Sequence, residues 1–387
     1  MTSTDALPVL DQTERVILRA AEEEGGLGCP CDLLVVGDST GALTAAALEL
    51  VAEHPDARVH SWSASRAETA ALAERLPEAL AAGRLVLPTG TEPAPLEEFA
   101  AGAEAHLVLA RLPKSLAGLE DLARRVAVLA ARSGREDLTL IAGGRVKHMS
   151  RSQNDVLASV FGEVHASRGL GKSRSLVAAS PRPGVEVGTA ATGAVRVAVR
   201  GTERELALRG AGGVFGGARA DVGSLLLLAA LDSALVAGEL APERETVLDL
   251  GCGNGLLTAY LAAALPSAEV LGSDDDADAV ASTRATLAAS GLERAGVQVA
   301  WDESLSRVAD GSTDLVLLNP PFHDGTAVDA TLVQALLDAA ARVLRPGGQL
   351  WVVHNSHLRY RPEVERRVGP VRERARDRRF TVLSATR

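Results

Sequence analysis

Apolar residues in this chain gather in short runs that end at glycine, aspartate or proline. Stretches rich in alanine and leucine follow them. Residues 33–48 read LLVVGDSTGALTAAAL, and residues 247–262 read VLDLGCGNGLLTAYLA. Each predicts an apolar strand, a glycine turn and a helix, the opening of a βαβ unit. Gly37 matches Gly251, Gly41 matches Gly255, and Leu43-Thr44 matches Leu257-Thr258. The parallel continues downstream. ARVHSWSAS (57–65) corresponds to AEVLGSDDD (268–276), and AHLVLARLPKS (105–115) to TDLVLLNPPFH (313–323). A further strand follows in each half, LTLIAGG (138–144) and GQLWVVHN (348–355). The pattern predicts an α/β fold of two tandem doubly wound, Rossmann-like domains, residues 1–184 and 185–387. The joint, SPRPGVEVGTAATG (180–193), is rich in proline, glycine and threonine, as a connection should be. A strand pair, VRVAVRG and ELALRG, then leads the second domain.

The two copies differ in their polar residues. Val35 stands at the place of Asp249, Ser39 at Gly253, Ser63 at Asp274 and Arg111 at Asn319. The first copy keeps the apolar frame and loses the groups a ligand needs, so it is expected to be degenerate, kept for shape or binding.

Composition narrows the class. Apolar residues make up 47% of the 387, enough for sizeable cores. Three cysteines do not make a disulfide scaffold; Cys29 and Cys31 flank Pro30, Cys252 stands alone, and no spaced histidines complete a metal set. No metal is expected. The opening MTSTDALPVLDQTER lacks the basic start and apolar core of a secretory signal. The run Leu225 to Leu231 is stopped by Asp232 and is too short to cross a bilayer. A cytoplasmic protein without a membrane partner is expected. The net charge of −10 argues against a polyanion, but its distribution does not. Residues 355–387 carry ten arginines and four acids; residues 142–175 carry six basic residues and two acids. Such islands are either a nucleic-acid footprint or solvated surface.

The second copy carries the chemistry. DLGCGNG places Asp249, Gly251, Gly253 and Gly255 at a strand-to-helix turn. Glycines there let the backbone approach a ligand, and the helix start offers free N–H groups. Leu256 occupies the place of the last glycine of a dinucleotide fingerprint, which discounts a nicotinamide enzyme. The leading acid suits a cationic, amino-acid-bearing ligand such as S-adenosyl-L-methionine. Asp274, at the end of the second strand, suits a pair of ribose hydroxyls. Asp275, Asp276 and Asp278 fit helix capping better. Asp302, after the third strand, either accepts from an adenine amine or is a surface acid.

Asn319-Pro320-Pro321-Phe322 follows the fourth strand, at the edge where open α/β sheets bind ligands. The prolines fix the turn and supply no N–H. The Asn319 side-chain oxygen and the Pro320 carbonyl can then accept from one –NH2 group, with Phe322 stacked on the base that bears it. His323 contacts the base or phosphate, or caps the turn.

Together, DLGCGNG, the Asp274 strand end and NPPFH resemble class I S-adenosylmethionine-dependent methyltransferases acting on exocyclic amines. The FH ending, the degenerate first copy and the length narrow the resemblance to bacterial ribosomal RNA guanine-N2 methyltransferases, the group of small-subunit methyltransferase C and large-subunit methyltransferase G. GGRVKHMSRS (143–152), GKSRSL (171–176), GVFGGARADVGSLLLL (213–228) and RYRPEVERRVG (359–369) fit the same family. The resemblance implies methyl transfer to guanine N2 of ribosomal RNA, with ribosomal RNA or a ribosomal subunit as partner. It implies cofactor contacts at Asp249, Gly251, Gly253 and Asp274, with Phe215, Asp221 and Ser224 covering the methionine end. Asn319, Pro320, Pro321 and Phe322 would hold the flipped guanine. The first domain would bind RNA and support the second, within a monomer that is an internal pseudo-dimer. Adenine N6, a protein glutamine amide, or a binding protein without turnover remain as alternatives.

Overall fold

The computed structural model describes residues 9–25, 27, 30–240, 246–321 and 330–387. Cys29, Phe322 and His323 lie outside the described residues. The chain forms two compact units, Met1–Thr189 and Ala190–Arg387. The sequence placed the division at 184/185. Both boundaries fall in the irregular stretch between strands that end at Pro181 and begin at Ala191.

In the first unit, α1 (Gln12–Glu23) precedes β1 (Asp32–Val36), α2 (Ala42–Leu50), β2 (Val59–Trp62), α3 (Arg66–Arg75), α4 (Pro77–Ala81) and β3 (Leu85–Val86). Then come α5 (Leu96–Phe99), β4 (Ala105–Arg111), α6 (Leu116–Ser133), β5 (Thr139–Arg145), α7 (Arg151–Val160), β6 (Phe161–Ala166) and β7 (Ser173–Pro181). The second unit opens with a hairpin, β8 (Ala191–Val199) and β9 (Thr202–Gly210), followed by α8 (Val222–Val236). β10 (Thr246–Leu250), α9 (Leu256–Ala264), β11 (Glu269–Asp274), α10 (Ala277–Ala289), β12 (Val297–Trp301) and β13 (Thr313–Leu318) follow. The chain ends with α11 (Ala330–Val343), β14 (Leu344–Asn355), α12 (Arg361–Arg367), β15 (Val371–Arg376) and β16 (Phe380–Thr386).

The two sheets have one topology. The orders are β3-β2-β1-β4-β5-β7-β6 and β12-β11-β10-β13-β14-β16-β15. In each, five parallel strands are followed by an antiparallel hairpin. The strand order reverses between the parallel neighbours β10 and β13, and a crevice opens there at the carboxyl ends of the strands.

Alternation along the strands separates two cores in the second sheet. Leu248, Leu250, Val316 and Leu318 pack under α11, with Leu337 and Ala340. Val247, Leu315, Leu317, Trp351 and Val353 pack under α8 and α9. The run Leu225 to Leu231 lies within α8, whose Leu227, Leu228 and Leu231 are buried in that second core. Among the described residues no helix is long and apolar enough to cross a membrane.

Asp232, at the end of that run, is a buried anchor. Its carboxylate accepts from the Tyr260 hydroxyl at 2.8 Å and from the N–H groups of Arg200 and Gly201 at 2.7 and 3.0 Å. The β8–β9 turn is thereby held to α8 and α9.

Candidate active site

A cavity of about 570 Å3 opens at the carboxyl edge of the second sheet. That volume suits a ligand of nucleoside size. Its walls include Phe215, Asp221, Ser224, Gly251, Gly253, Asp274, Asn319, Pro320 and Pro321, drawn from four separate stretches of chain.

The glycine turn forms one wall. Gly251 and Gly253 have φ of +78° and +53°, and a Cβ at either would meet open space. Only glycine adopts this backbone freely, and it keeps the cavity floor clear. Gly251 and Cys252 donate backbone N–H groups to Ser273 O, at 2.8 and 3.1 Å. The Asn254 side chain donates to Gly217 O and Arg219 O, at 3.0 and 2.8 Å, and fastens the 214–221 stretch over the turn.

Asp274 stands at the end of β11. Its Oδ2 accepts from Gly253 N at 2.9 Å and its Oδ1 from Asp276 N at 3.0 Å. A carboxylate has lone pairs left after two such bonds, and Asp274 lines the cavity. Burial, reinforced by Asp276 and Asp275, pushes the Asp274 carboxyl up to about 6, against the pull of those N–H groups. Asp276 caps α10 through Asp278 N, and Asp278 accepts from Gly213 N at 2.9 Å. Both have structural tasks.

Asn319 and the start of α8 form a second wall. Asp221 is the N-cap of α8 and accepts from Ser224 N at 2.9 Å. The same Oδ2 accepts from Asn319 Nδ2 at 2.9 Å, and Ser224 Oγ accepts from it at 2.8 Å. An ionised carboxylate only accepts, so the amide nitrogen must face Asp221. Both amide hydrogens are thus used. Oδ1 has no donor among the described residues and is left to the half-open cavity. The sequence grouped Asp221 and Ser224 with the cofactor; their side chains hold Asn319.

Two expected cofactor residues lie elsewhere. Asp302 does not line the cavity. Its carboxylate accepts from Ser306 Oγ at 2.5 Å and Arg307 N at 3.2 Å, which closes the loop after β12. Asp249 is fully buried beneath the glycine turn; its Oδ2 accepts from Thr258 Oγ1 at 2.6 Å, while Oδ1 has no partner among the described residues. Gly272 leaves room for that hydroxyl, since a Cβ there would lie 2.8 Å from Thr258 Oγ1. Burial pushes the Asp249 carboxyl up to about 7. The unfolded acid titrates near 3.8, so the stability tied to this group is fully present below that pH and is lost as pH rises through about 7. Asp249→Asn should therefore raise stability at pH 8 by about 4 kcal/mol, with the gain vanishing near pH 4; urea unfolding at both values checks this.

Asn254, Asn355, Arg379 and Phe380 line the cavity without having been singled out as pocket residues. Asn355 ends β14 and stands opposite Phe380 on β16. Asn254 lies in the glycine turn itself, and pairing of the terminal hairpin back onto the sheet is the signal that would have found Asn355, Arg379 and Phe380.

The corresponding place in the first unit is filled. Arg111, at the position of Asn319, bonds Glu14 Oε1 at 2.7 Å and Asp11 Oδ2 at 3.1 Å. Glu14 is buried and also accepts from Thr40 Oγ1 at 2.9 Å. Asp38 accepts from Gly41 N and Thr44 N at 3.0 and 2.7 Å, taking the N–H groups that a ligand would use. The space left beside Asp38, Ser63 and Thr69 is about 10 Å3, too little for more than a water.

The basic islands are not alike. Arg366 and Arg367 pair with Glu363, and Arg374 and Arg372 lie 2.5 and 4.0 Å from Glu239. Arg145, Lys147, Arg151, Arg168, Lys172 and Arg174 are exposed and make no ion pair among the described residues.

The methyltransferase small domain matches residues 205–384, and the RLMG N-terminal domain matches residues 2–183. The large-subunit ribosomal RNA methyltransferase G of Streptomyces coelicolor is 34% identical, over 99% of this chain and 95% of its own length. The small-subunit methyltransferase C of Ectopseudomonas mendocina is 43% identical over 45% of this chain and 49% of its own. Among solved structures, the T. thermophilus 16S rRNA N2 G1207 methyltransferase in complex with AdoMet and guanosine aligns with a TM-score of 0.74 at 27% identity, covering 97% of this chain and 92% of that one. The chain belongs to the family of ribosomal RNA large subunit methyltransferase G.

Proposed function

We propose that this protein transfers a methyl group from S-adenosyl-L-methionine to the exocyclic N2 amine of a guanine in large-subunit ribosomal RNA. One observation carries the chemistry: the Asn319 amide is locked by Asp221 and Ser224 with its oxygen toward the cavity that also holds Asp274 and the glycine turn. A fixed acceptor at a strand end suits an –NH2 donor. The residues also fit the cofactor. Gly251 and Gly253 leave open space, Asp274 has acceptor capacity for ribose hydroxyls, and Ser273 Oγ is a buried atom without a partner among the described residues.

S-adenosyl-L-methionine would supply an electrophilic methyl carbon. The chain's own residues position the amine. Asn319 Oδ1 and the Pro320 carbonyl accept its two hydrogens and hold the nitrogen lone pair free of the ring. Phe322, which completes the motif, would stack on the base. The amine proton leaves after nitrogen has gained the methyl group, so no strong general base is required. The target base must leave its stack to reach Asn319.

The assignment to the large subunit rests on near-full-length relatives and on the N-terminal match. The sequence likeness to the small-subunit enzyme of Ectopseudomonas mendocina covers only about the catalytic half, and the full-length likeness to a 16S rRNA enzyme is one of structure, at 27% identity; both support the chemistry more than the target. Methylation of each subunit's RNA, isolated separately from a strain lacking this gene, tests the choice. Label in the large-subunit RNA alone is expected; label in the small-subunit RNA alone contradicts it.

The first unit has its ligand place closed, and its basic island from Arg145 to Arg174 makes no ion pair among the described residues, which supports a role in RNA binding and in supporting the catalytic unit. The combined change Lys147→Ala, Lys172→Ala and Arg174→Ala should flatten the salt dependence of RNA binding by about 0.7–0.9 for each phosphate no longer neutralised, with cofactor affinity unchanged. Filter binding across a salt series measures it. We place the working protein as a monomer in the cytoplasm, beside its RNA.

A further inference from the structure

The turn between β15 and β16 overhangs the cavity and takes no part in holding Asn319 or Asp274. β14 and β16 pair with Asn355 opposite Phe380, Val353 opposite Val382, and His354 opposite Thr381. Side chains two residues apart share a face of a strand. Val353 and Val382 are buried on the α8 side of the sheet, so Asn355 and Phe380 stand on that side too. That is the side on which Asp221 and Ser224 hold Asn319.

The turn is rigid by construction. Asp377 Oδ1 accepts from Arg379 N and Phe380 N, both at 2.7 Å, and Asp377 N donates to Phe380 O at 2.9 Å. Ser356 N donates to Arg379 O at 2.8 Å, and Ser356 Oγ lies 2.8 Å from Thr381 Oγ1. The Phe380 ring lies against the first turn of α8. A Cβ on Gly223 would come within 3.3 Å of its Cδ1 and Cε1, so the glycine makes room for the ring. Phe380 is only partly buried and still lines the cavity.

Arg379 sits over the Phe380 ring, its guanidinium carbon 5.1 Å from the centroid, and lines the same cavity. It is exposed and makes no ion pair among the described residues. The acid beside it, Asp377, has its carboxylate engaged by backbone N–H groups. Arg376 and Arg378 flank the turn, also exposed and also without ion pairs among the described residues. In a chain of net charge −10, three arginines without ion pairs among the described residues thus stand at one turn, and one of them, Arg379, lines the cavity.

We propose that this turn is the target-nucleotide wall of the active site: the Arg379 guanidinium, which covers the Phe380 ring in the free protein, moves to the phosphate of the nucleotide presented to Asn319, and the ring face it uncovers stacks on the base. An aromatic ring with a guanidinium that makes no ion pair among the described residues matches the two halves of a nucleotide. Every base has a π-face, and guanidinium binds phosphate through paired N–H donors. The inference rests on reading the cavity as a guanine-N2 methyl-transfer site.

The test uses the full chain saturated with S-adenosylhomocysteine and titrated with guanosine or guanosine 5′-monophosphate, followed by ligand-observed NMR. Phe380→Leu should weaken both ligands about tenfold or more, and Phe380→Trp should restore them. Arg379→Gln should weaken the monophosphate about tenfold and leave guanosine nearly unchanged. S-adenosylhomocysteine affinity should not move in any variant. Guanosine binding that is indifferent to Phe380 but lost in Asn319→Ala overturns this inference and leaves the proposed function standing. A loss shared by S-adenosylhomocysteine also overturns it, since the turn would then face the cofactor. A wild-type chain that binds neither guanine ligand overturns both. Arg379 is exposed, so its variant tests the phosphate contact even where Phe380→Leu disturbs the fold.

Discussion

Asn319→Ala should lower methyl transfer about a thousandfold or more while leaving S-adenosyl-L-methionine affinity unchanged. Two protein partners fix the orientation of the amide and leave its acceptor free. Truncation removes the hydrogen-bond acceptor that aligns the amine, and alignment supplies most of the rate where no strong base is needed. Asn319→Asp keeps an acceptor but sets a carboxylate against Asp221, so it should fail too, through repulsion. Asp221→Asn is the informative partner. It frees the Asn319 amide to rotate, and kcat should fall by about tenfold or more with little change in cofactor Kd. Single-turnover rates beside equilibrium cofactor titrations separate these effects. Full activity in Asn319→Ala contradicts the proposed grip on the amine.

Asp274→Ala has the second large effect, and in the other constant. Cofactor affinity should fall about a hundredfold, because charge-assisted bonds to ribose hydroxyls are lost and the N–H groups of Gly253 and Asp276 lose their acceptor. Burial pushes its carboxyl up to about 6. The ionised form is the better acceptor, so wild-type cofactor affinity should fall as pH drops through about 6, towards tenfold per pH unit. In Asp274→Ala that dependence should be gone. Calorimetric titration across pH 5 to 8 measures both; a cofactor affinity in Asp274→Ala equal to that of the wild type contradicts a ribose contact at Asp274.

Much of this was legible in the sequence, for identifiable reasons. Strand periodicity and glycine turns repeat along both halves, so the tandem α/β fold and the hairpin leading the second unit could be read directly. Asn319 and Asp274 were legible because strand ends in an open sheet converge on one edge. Asp302 also follows a strand, but the chain there turns inward, and Ser306 and Arg307 occupy its carboxylate. Asp249 heads the glycine motif, yet its position on β10 points it at Thr258 under α9 rather than into the cavity. Periodicity reveals the face of a strand; it does not reveal which of two polar neighbours a side chain takes. The role of Asp221 was hidden for a related reason. Helix capping and the bond to Asn319 use one carboxylate oxygen, and the pair is 98 residues apart in the chain. Phe380 lies beyond the last parallel strand, and only the antiparallel return of β16 brings it to the cavity.

The most direct test of the central claim is the identity of the product nucleoside. Large-subunit RNA from a strain lacking this gene would be incubated with the protein and S-adenosyl-L-methionine carrying a tritiated methyl group, then digested to nucleosides. Label in N2-methylguanosine is expected, and its absence with Asn319→Ala. Label in N6-methyladenosine, or none in RNA from a protein that still binds its cofactor, would contradict guanine-N2 methylation.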